Sequence, residues 1–214
     1  MKAVALRANE INISSNYAYF IENAEKLTAP DYVVTPNDLL LCRNKTTGVS
    51  ELSFRFKTRD FSIIDVGGQR SERRKWIHSF ENVNLLLFFT SLSEYDQKLE
   101  EDPRVNRMNE SLRLFGEIVN SKWFATVPLA LILNKRDIFK EKLPQRELKA
   151  LFPEYEGGPD YDLAIAFIKG RFLSLIKTER TIFTHVTCAT DTNCIGDVFA
   201  DLASSILVSA LSTL

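Results

Sequence analysis

An acid, two glycines and a glutamine stand together at Asp65-Val66-Gly67-Gly68-Gln69, directly after an apolar run. A carboxylate ending a strand can orient Mg²⁺ or its waters, paired glycines let backbone N–H groups approach a phosphate, and glutamine can orient an attacking water. Alone, the segment reads equally well as a plain Asp-x-Gly-Gly turn. A second apolar run ends in Asn134-Lys135-Arg136-Asp137. A carboxylate there can accept both N–H donors on the edge of guanine, a pair that adenine lacks. The stem of Lys135 can pack over the base while Asn134 braces neighbouring loops. A third run ends in Thr187-Cys188-Ala189-Thr190, small residues whose backbone can approach a ring carbonyl; alone this is a weak signal. Upstream, Arg43-Asn44-Lys45-Thr46-Thr47-Gly48 gathers cations and hydroxyls. Arg43 can neutralise charge on a transferring phosphoryl group and Thr46 can coordinate Mg²⁺, although a basic solvated loop is the simpler reading of that segment by itself.

Holding such residues in place requires strands that end at one edge. Apolar residues recur at helical spacing from Ser15 to Leu27 (Tyr17, Phe20, Ile21, Ala24, Leu27), with Ser14 or Ser15 as cap and the Pro30 region as stop. Thr35-Pro36-Asn37-Asp38 opens a short second helix with proline in its first turn. From Leu52 the period becomes two: Leu52, Phe54 and Phe56 alternate with polar residues, and Thr58-Arg59-Asp60 turns the chain into Phe61–Asp65, a hairpin. Strands are expected from Val83 to Thr90, Val127 to Asn134 and Thr181 to Thr187. Helical stretches lie between and after them, at Arg70–Phe80, Val105–Val119, Asp160–Ile176 and Ile195–Leu211. Buried strands alternating with helices predict an α/β layer structure with a mostly parallel sheet, whose ligands sit at the carboxyl ends of the strands.

Composition excludes several classes. The 214 residues are 45% hydrophobic and 26% charged, ordinary for a folded chain of one domain and perhaps part of a second. A formal charge of −1 implies no overall attraction to nucleic acid or anionic lipid. No apolar run approaches the ~20 residues of a membrane helix, and Lys2 and Arg7 interrupt any signal core. Cys42, Cys188 and Cys194 are scattered without metal-ligand spacing, which suits a reducing cytosol. The Asn-x-Ser/Thr matches at Asn12, Asn44 and Asn109 are then chance. His78, His185 and Trp123 are expected to be structural.

In this order and spacing the four loop segments are far more specific together than singly. Through Arg43–Gly48, Asp65–His78, Asn134–Asp137 and Thr187–Thr192 the chain resembles the alpha subunit of heterotrimeric G proteins, from about Asn9 nearly to its end. The resemblance implies a Ras-like P-loop GTPase three-layer fold with a mostly parallel sheet, here expected to lack its first strand and phosphate loop. Residues 1–40 would be the end of the all-helical domain and 41–214 the GTPase domain. It implies binding of GTP and GDP with Mg²⁺, in roles that the general account of phosphoryl transfer already draws from this family. Leu40, Leu41, Cys42, Arg43, Asn44, Lys45 and Thr46 would form the first switch, with Arg43 the arginine finger and Thr46 a direct Mg²⁺ ligand. Asp65 would reach the ion through water and opens the second switch with Val66, Gly67, Gly68 and Gln69. Gly68 would offer its N–H to the γ-phosphate and Gln69 would place the hydrolytic water. Asn134, Lys135, Arg136 and Asp137 would form the guanine loop, Ala189 would touch the ring carbonyl, and Ser15 would face the nucleotide. The stretch Arg70–Phe80 would carry a partner surface anchored by Trp76, Ile77 and Phe80, unless these are core. The implied partners are a βγ dimer, a seven-helix receptor, an effector enzyme or channel, and a regulator of G-protein signalling, with no nucleic acid. The implied place is the cytoplasm, peripheral at the inner plasma membrane.

The chain also departs from the family pattern. No Gly-Lys dipeptide occurs, so the form Gly-x-x-x-x-Gly-Lys-Ser/Thr, which cradles the β- and γ-phosphates, is missing. The family places that loop and a central strand before the stretch seen here. The strands ending at Asp65 and near Thr90 are therefore expected either to close up on each other or to leave an incomplete sheet. The start Met1-Lys2 lacks a Met-Gly acylation signal, and the end at Leu214 falls a few residues short of the family tail, with Val208, Ser209 and Ala210 in place of a more polar stretch. Leu41 and Asn44 differ from many relatives without removing a catalytic group. Three readings stay open: a GTP-hydrolysing switch, a non-catalytic form that binds βγ or an effector, and an incomplete gene model or fragment with no independent activity.

Overall fold

The computed structural model of the chain describes residues 16–42, 44–56 and 58–211. Ser15 and Arg43 therefore lie outside the described residues. The chain divides into two compact units, one formed by Thr35–Val83 and the other by the residues before and after it.

In the smaller unit, α3 (Pro36–Leu41) begins as its sequence predicts. Thr35 and Asp38 form a reciprocal capping box: the Thr35 hydroxyl accepts from the Asp38 N–H, and the Asp38 carboxylate accepts from the Thr35 N–H at 2.7 Å. The helix that precedes it in sequence belongs to the larger unit and is two short pieces, α1 (Tyr17–Glu22) and α2 (Ala24–Leu27), rather than one. Asn23 separates them, and its side chain turns back to donate to the Tyr19 carbonyl. That local bond competes with helix continuation. The hairpin consists of β1 (Val49–Phe56) and β2 (Arg59–Val66), antiparallel, with Phe54 opposite Phe61 and Arg55 opposite Asp60. Phe54 and Phe61 stack at 6.0 Å on one face, while the opposite face carries the Arg55–Asp60 ion pair at 2.8 Å. The stretch Arg70–Phe80 is not an α-helix but a 3-10 helix over Arg73–Ser79.

The larger unit is built on a parallel sheet ordered β3 (Leu86–Ser91), β4 (Leu129–Asn134), β5 (Ile182–Val186). Every residue of Leu129–Leu133 is buried, because layers cover both faces. Leu129, Leu131 and Leu133 join a core with Met108, Leu112, Phe115 and Val119 of α4 (Arg107–Val119) and with Ala164, Ile168 and Phe172 of α6 (Tyr161–Leu173). Ala130 and Ile132 point the other way, onto Val198 and Leu202 of α7 (Thr192–Leu211). This three-layer arrangement is consistent with a Ras-like fold. Asn106 caps α4 by accepting from Met108 and Asn109, and Asp160 caps α6 by accepting from Leu163. The short α5 (Arg136–Lys142) starts directly after β4.

Strand bounds come out shorter than the hydrophobic runs suggest. Val83 and Leu85 precede β3, which starts where Leu86 donates to the Pro128 carbonyl. The strands β2 and β3 belong to different sheets. Among the described residues no helix is long and apolar enough to cross a membrane.

Candidate functional site

The carboxyl end of the parallel sheet gathers two of the four segments. β4 delivers Asn134 at its last position, and Lys135 turns the chain sharply with φ 61° and ψ 41°. A non-glycine residue in this left-handed region is uncommon and marks a constrained loop. The Asn134 side-chain oxygen accepts from the Thr187 hydroxyl at 3.1 Å and from the Ala189 N–H at 2.9 Å. Two backbone bonds run beside it, Thr187 N–H to the Leu133 carbonyl at 2.9 Å and Arg136 N–H to the Thr187 carbonyl at 3.1 Å. The two loops that sequence separates by fifty residues are thus locked to each other. Thr187 is fully buried, whereas Asp137 and Ala189 are exposed, with the Asp137 carboxylate in the first turn of α5. The bracing role expected of Asn134 is what its bonds describe, and its partners are the small residues expected to stand near a ring carbonyl.

Lys135 has a further neighbour. Its ammonium lies 3.5 Å from Oε1 of Glu94, the last residue of a 3-10 turn (Leu92–Glu94) directly after β3. The same oxygen lies 3.5 Å from the Arg107 guanidinium. Sequence reasoning read the ends of two strands of this sheet and missed the third, although the rule that ligands sit beyond strand ends points to it equally.

The hairpin's open end holds the other two segments. Gly48, at φ +77°, is in a backbone conformation that favours glycine. The Gly67 N–H donates to the Gly48 carbonyl at 3.0 Å, continuing the ladder past the Val49–Val66 pair. A methyl group at Gly67 would come within 2.6 Å of the Thr46 carbonyl and 3.0 Å of Glu72 Cβ. The loops bearing Thr46 and Asp65 are therefore in backbone contact. The Glu72 carboxylate bridges them, accepting from the Gly48 N–H and from the Lys75 ammonium at 2.7 Å. These donors, the ammonium first, hold its pKa below the usual carboxylate range. The Trp76 indole N–H donates to the Gly67 carbonyl at 2.8 Å.

Of the two readings open for Trp76, partner anchor or core, the structure shows core. It is buried and tied to Gly67, so it locks the loop rather than anchoring a partner; Ile77 is the exposed member of the trio, and Phe80 is half-buried. Gly68, by contrast, is exposed with no atom within 4 Å of the position a Cβ would take. Gln69 is half-buried and its carbonyl accepts from Glu72 N–H at 2.9 Å. Leu40 and Leu41 sit at the end of α3, Leu40 exposed and Leu41 half-buried, and Cys42, Asn44, Lys45 and Thr46 form an exposed irregular stretch. Val66 ends β2, and Asp65 is exposed opposite Ser50. Thr46 and Asp65 bring hard oxygen donors to adjoining loops, a donor set that fits Mg²⁺, which usually takes one or two protein oxygens and keeps waters and phosphates as its other ligands. Among the described residues no group of three His, Cys, Asp or Glu side chains gathers as a metal cage.

Comparison with known proteins places the chain beside one family. The profile of the family described as G-protein alpha subunit matches residues 1–206. Guanine nucleotide-binding protein alpha-17 subunit of Caenorhabditis briggsae is 45% identical over 208 residues, covering 96% of this chain and 58% of its own length. Guanine nucleotide-binding protein G(o) subunit alpha of Locusta migratoria is 46% identical over 206 residues, with 96% and 58% covered. Guanine nucleotide-binding protein subunit alpha of the fungus Cochliobolus heterostrophus is 49% identical over 195 residues, with 91% and 55% covered. The chain spans about half the length of the curated relatives it matches.

Proposed function

The chain belongs to the G-protein alpha-subunit family, and on that premise we propose that it binds guanine nucleotide and works as the switch of a signal transducer, turning GTP and water into GDP and phosphate. The observation that carries this reading is the doubly accepting Asn134 oxygen, which fastens the Asn134–Asp137 loop to Ala189. A purine reader needs its acceptor carboxylate and its backbone donor at a constant separation, because discrimination comes from leaving the wrong base with unpaired groups. Asp137 supplies the acceptor, Ala189 touches the ring carbonyl where its small side chain lets the backbone approach, and the Lys135 stem packs over the base in the loop that also holds Arg136. The segment 1–40 would be the end of a helical domain, with Ser15 among its nucleotide-binding residues, and 41–214 the GTPase domain.

In this reading Leu40–Thr46 is the first switch and Asp65–Gln69 opens the second. Thr46 would hold Mg²⁺ directly and Asp65 through water, and the ion would supply neutralisation of phosphate charge. Gly68, exposed and with open space where a Cβ would stand, offers its N–H to the γ-phosphate, Gln69 orients the attacking water, and Arg43 neutralises charge on the transferring group. The exposed Ile77, on a segment pinned through Trp76, supports contact with a βγ dimer, an effector or a regulator of G-protein signalling. Coupling to a seven-helix receptor and a peripheral place at the inner plasma membrane follow from the same premise.

Equilibrium binding of a non-hydrolysable GTP analogue with Mg²⁺, set against the matching ATP analogue, tests the reading. Guanine-selective binding supports it. Equal binding of both analogues, or of neither by a folded chain, leaves the non-catalytic partner-binding alternative.

A further inference from the structure

Three loops leave the carboxyl ends of the three parallel strands, and each is tied to the next. Asn134 joins the loop after β4 to the loop after β5. On the other side Glu94, after β3, stands between two cations, with Oε1 3.5 Å from Lys135 Nζ and 3.5 Å from Arg107. Glu94 is largely covered, its side chain 24% exposed, and Arg107 is more so at 13%. Arg107 is itself held: its Nε donates to the Lys98 carbonyl at 2.9 Å, and a terminal nitrogen reaches Glu100 at 3.5 Å. Asn106 beside it donates to the Tyr95 carbonyl at 2.7 Å. The carboxylate of Glu94 therefore projects from a braced loop, not a free one. Opposite it, Lys135 adopts a left-handed backbone that a lysine has no intrinsic reason to prefer.

We propose that Glu94, oriented by Arg107, is a positioning residue for base recognition. It touches no part of the nucleotide and anchors the Lys135 ammonium, so that the lysine's methylene stem lies at one orientation along the base-binding loop. The inference rests on the guanine-binding reading above. A lysine stem has several rotatable bonds, and an ammonium released to water lets the stem sample many rotamers. Held at both ends, by its constrained backbone and by Glu94, the stem becomes a fixed apolar surface. That arrangement gains specificity by pre-organisation rather than by another contact.

The test uses the full chain carrying Glu94→Ala, Glu94→Gln, Lys135→Met, and Glu94→Ala with Lys135→Met. Amide hydrogen exchange without nucleotide is read at residues 134–137 and, as control, in α6. Affinity for the Mg²⁺ complex of the non-hydrolysable GTP analogue is measured beside it. Glu94→Ala is expected to speed exchange in the loop severalfold with α6 unchanged, and to weaken guanine-nucleotide binding by about tenfold. Glu94→Gln, which keeps the shape, falls between wild type and alanine, and carries the test if the alanine variant does not fold. In the Lys135→Met background, Glu94→Ala has no further effect on affinity. An unchanged loop exchange, or an equal loss of affinity with and without Lys135, overturns the proposal. If the unaltered chain binds no guanine nucleotide, the functional reading fails on that titration alone, while the exchange comparison still decides whether Glu94 positions Lys135.

Discussion

Gly67 sits where two loops touch without room for a methyl group. Its Cβ position meets the Thr46 carbonyl at 2.6 Å and Glu72 Cβ at 3.0 Å. Gly67→Ala must push one of them away, and a displaced backbone cannot swing aside as a side-chain tip can. We expect a loss of about 1–3 kcal/mol in the unfolding free energy of this unit, measured by denaturant titration followed on Trp76. Trp76 is the natural reporter because it bonds to the Gly67 carbonyl. The chain has two tryptophans, so Trp123→Phe isolates the signal. Glu72 gives the same corner a pH dependence. Its folded-state pKa is depressed by Lys75 and the Gly48 N–H, so its bridge is fully present above the unfolded carboxylate value of ~4.3 and is lost as pH falls through the depressed one. Trp76 emission should hold steady from neutral pH through the ordinary carboxylate range and change only below it. In Glu72→Gln that acid step should vanish.

At the scale of elements, the capping box of α3 is the clearest case of local chemistry defining a boundary. Thr35→Ala removes the acceptor for the Asp38 N–H and leaves the mostly buried Asp38 carboxylate one hydroxyl donor poorer. The expected cost is about 1 kcal/mol, read as faster amide exchange at residues 38–41 with the hairpin unchanged. This helix was legible because Thr-Pro-x-Asp satisfies its own terminus within four residues. The Arg73–Ser79 segment was not, since its apolar spacing suits a helix of either pitch. The tighter 3-10 form occurs beside bonds that propensity does not contain, from Trp76 to Gly67 and from Gly48 to Glu72. The parallel strands were legible for the opposite reason: Leu129–Leu133 is apolar without alternation, as a strand covered on both faces must be.

For the whole molecule, the charged cradle of a phosphate loop is not among these residues, since the chain contains no Gly-Lys dipeptide. The loops proposed to read guanine would supply selectivity, but a triphosphate without several charge-assisted hydrogen bonds loses much of its binding energy. We expect this chain to bind the GTP analogue at least about a hundredfold more weakly than a relative carrying that loop, roughly 3 kcal/mol, in parallel titrations. Where turnover is measurable, Gln69→Leu should slow it and leave analogue binding nearly unchanged, because the role proposed for the glutamine is on the attacking water. A rate unaltered by that substitution would remove Gln69 from the reaction.

Residue types and their order were enough to determine the family, the layer structure and the two loops around Asn134 and Ala189. Those features follow from local chemistry: apolar runs make strands, strand ends present loops, and loop residues carry their functional groups with them. Only the tertiary structure decided that Trp76 faces inward, that Glu72 clasps Gly48, and that Glu94 reaches Lys135. The sequence separation between Glu94 and Lys135 is spanned by a parallel strand crossover, and their encounter depends on β3 and β4 lying side by side with Ser91 opposite Asn134. Register is a property of the packed sheet, so a side-chain pair that it creates is written in neither partner's neighbourhood alone.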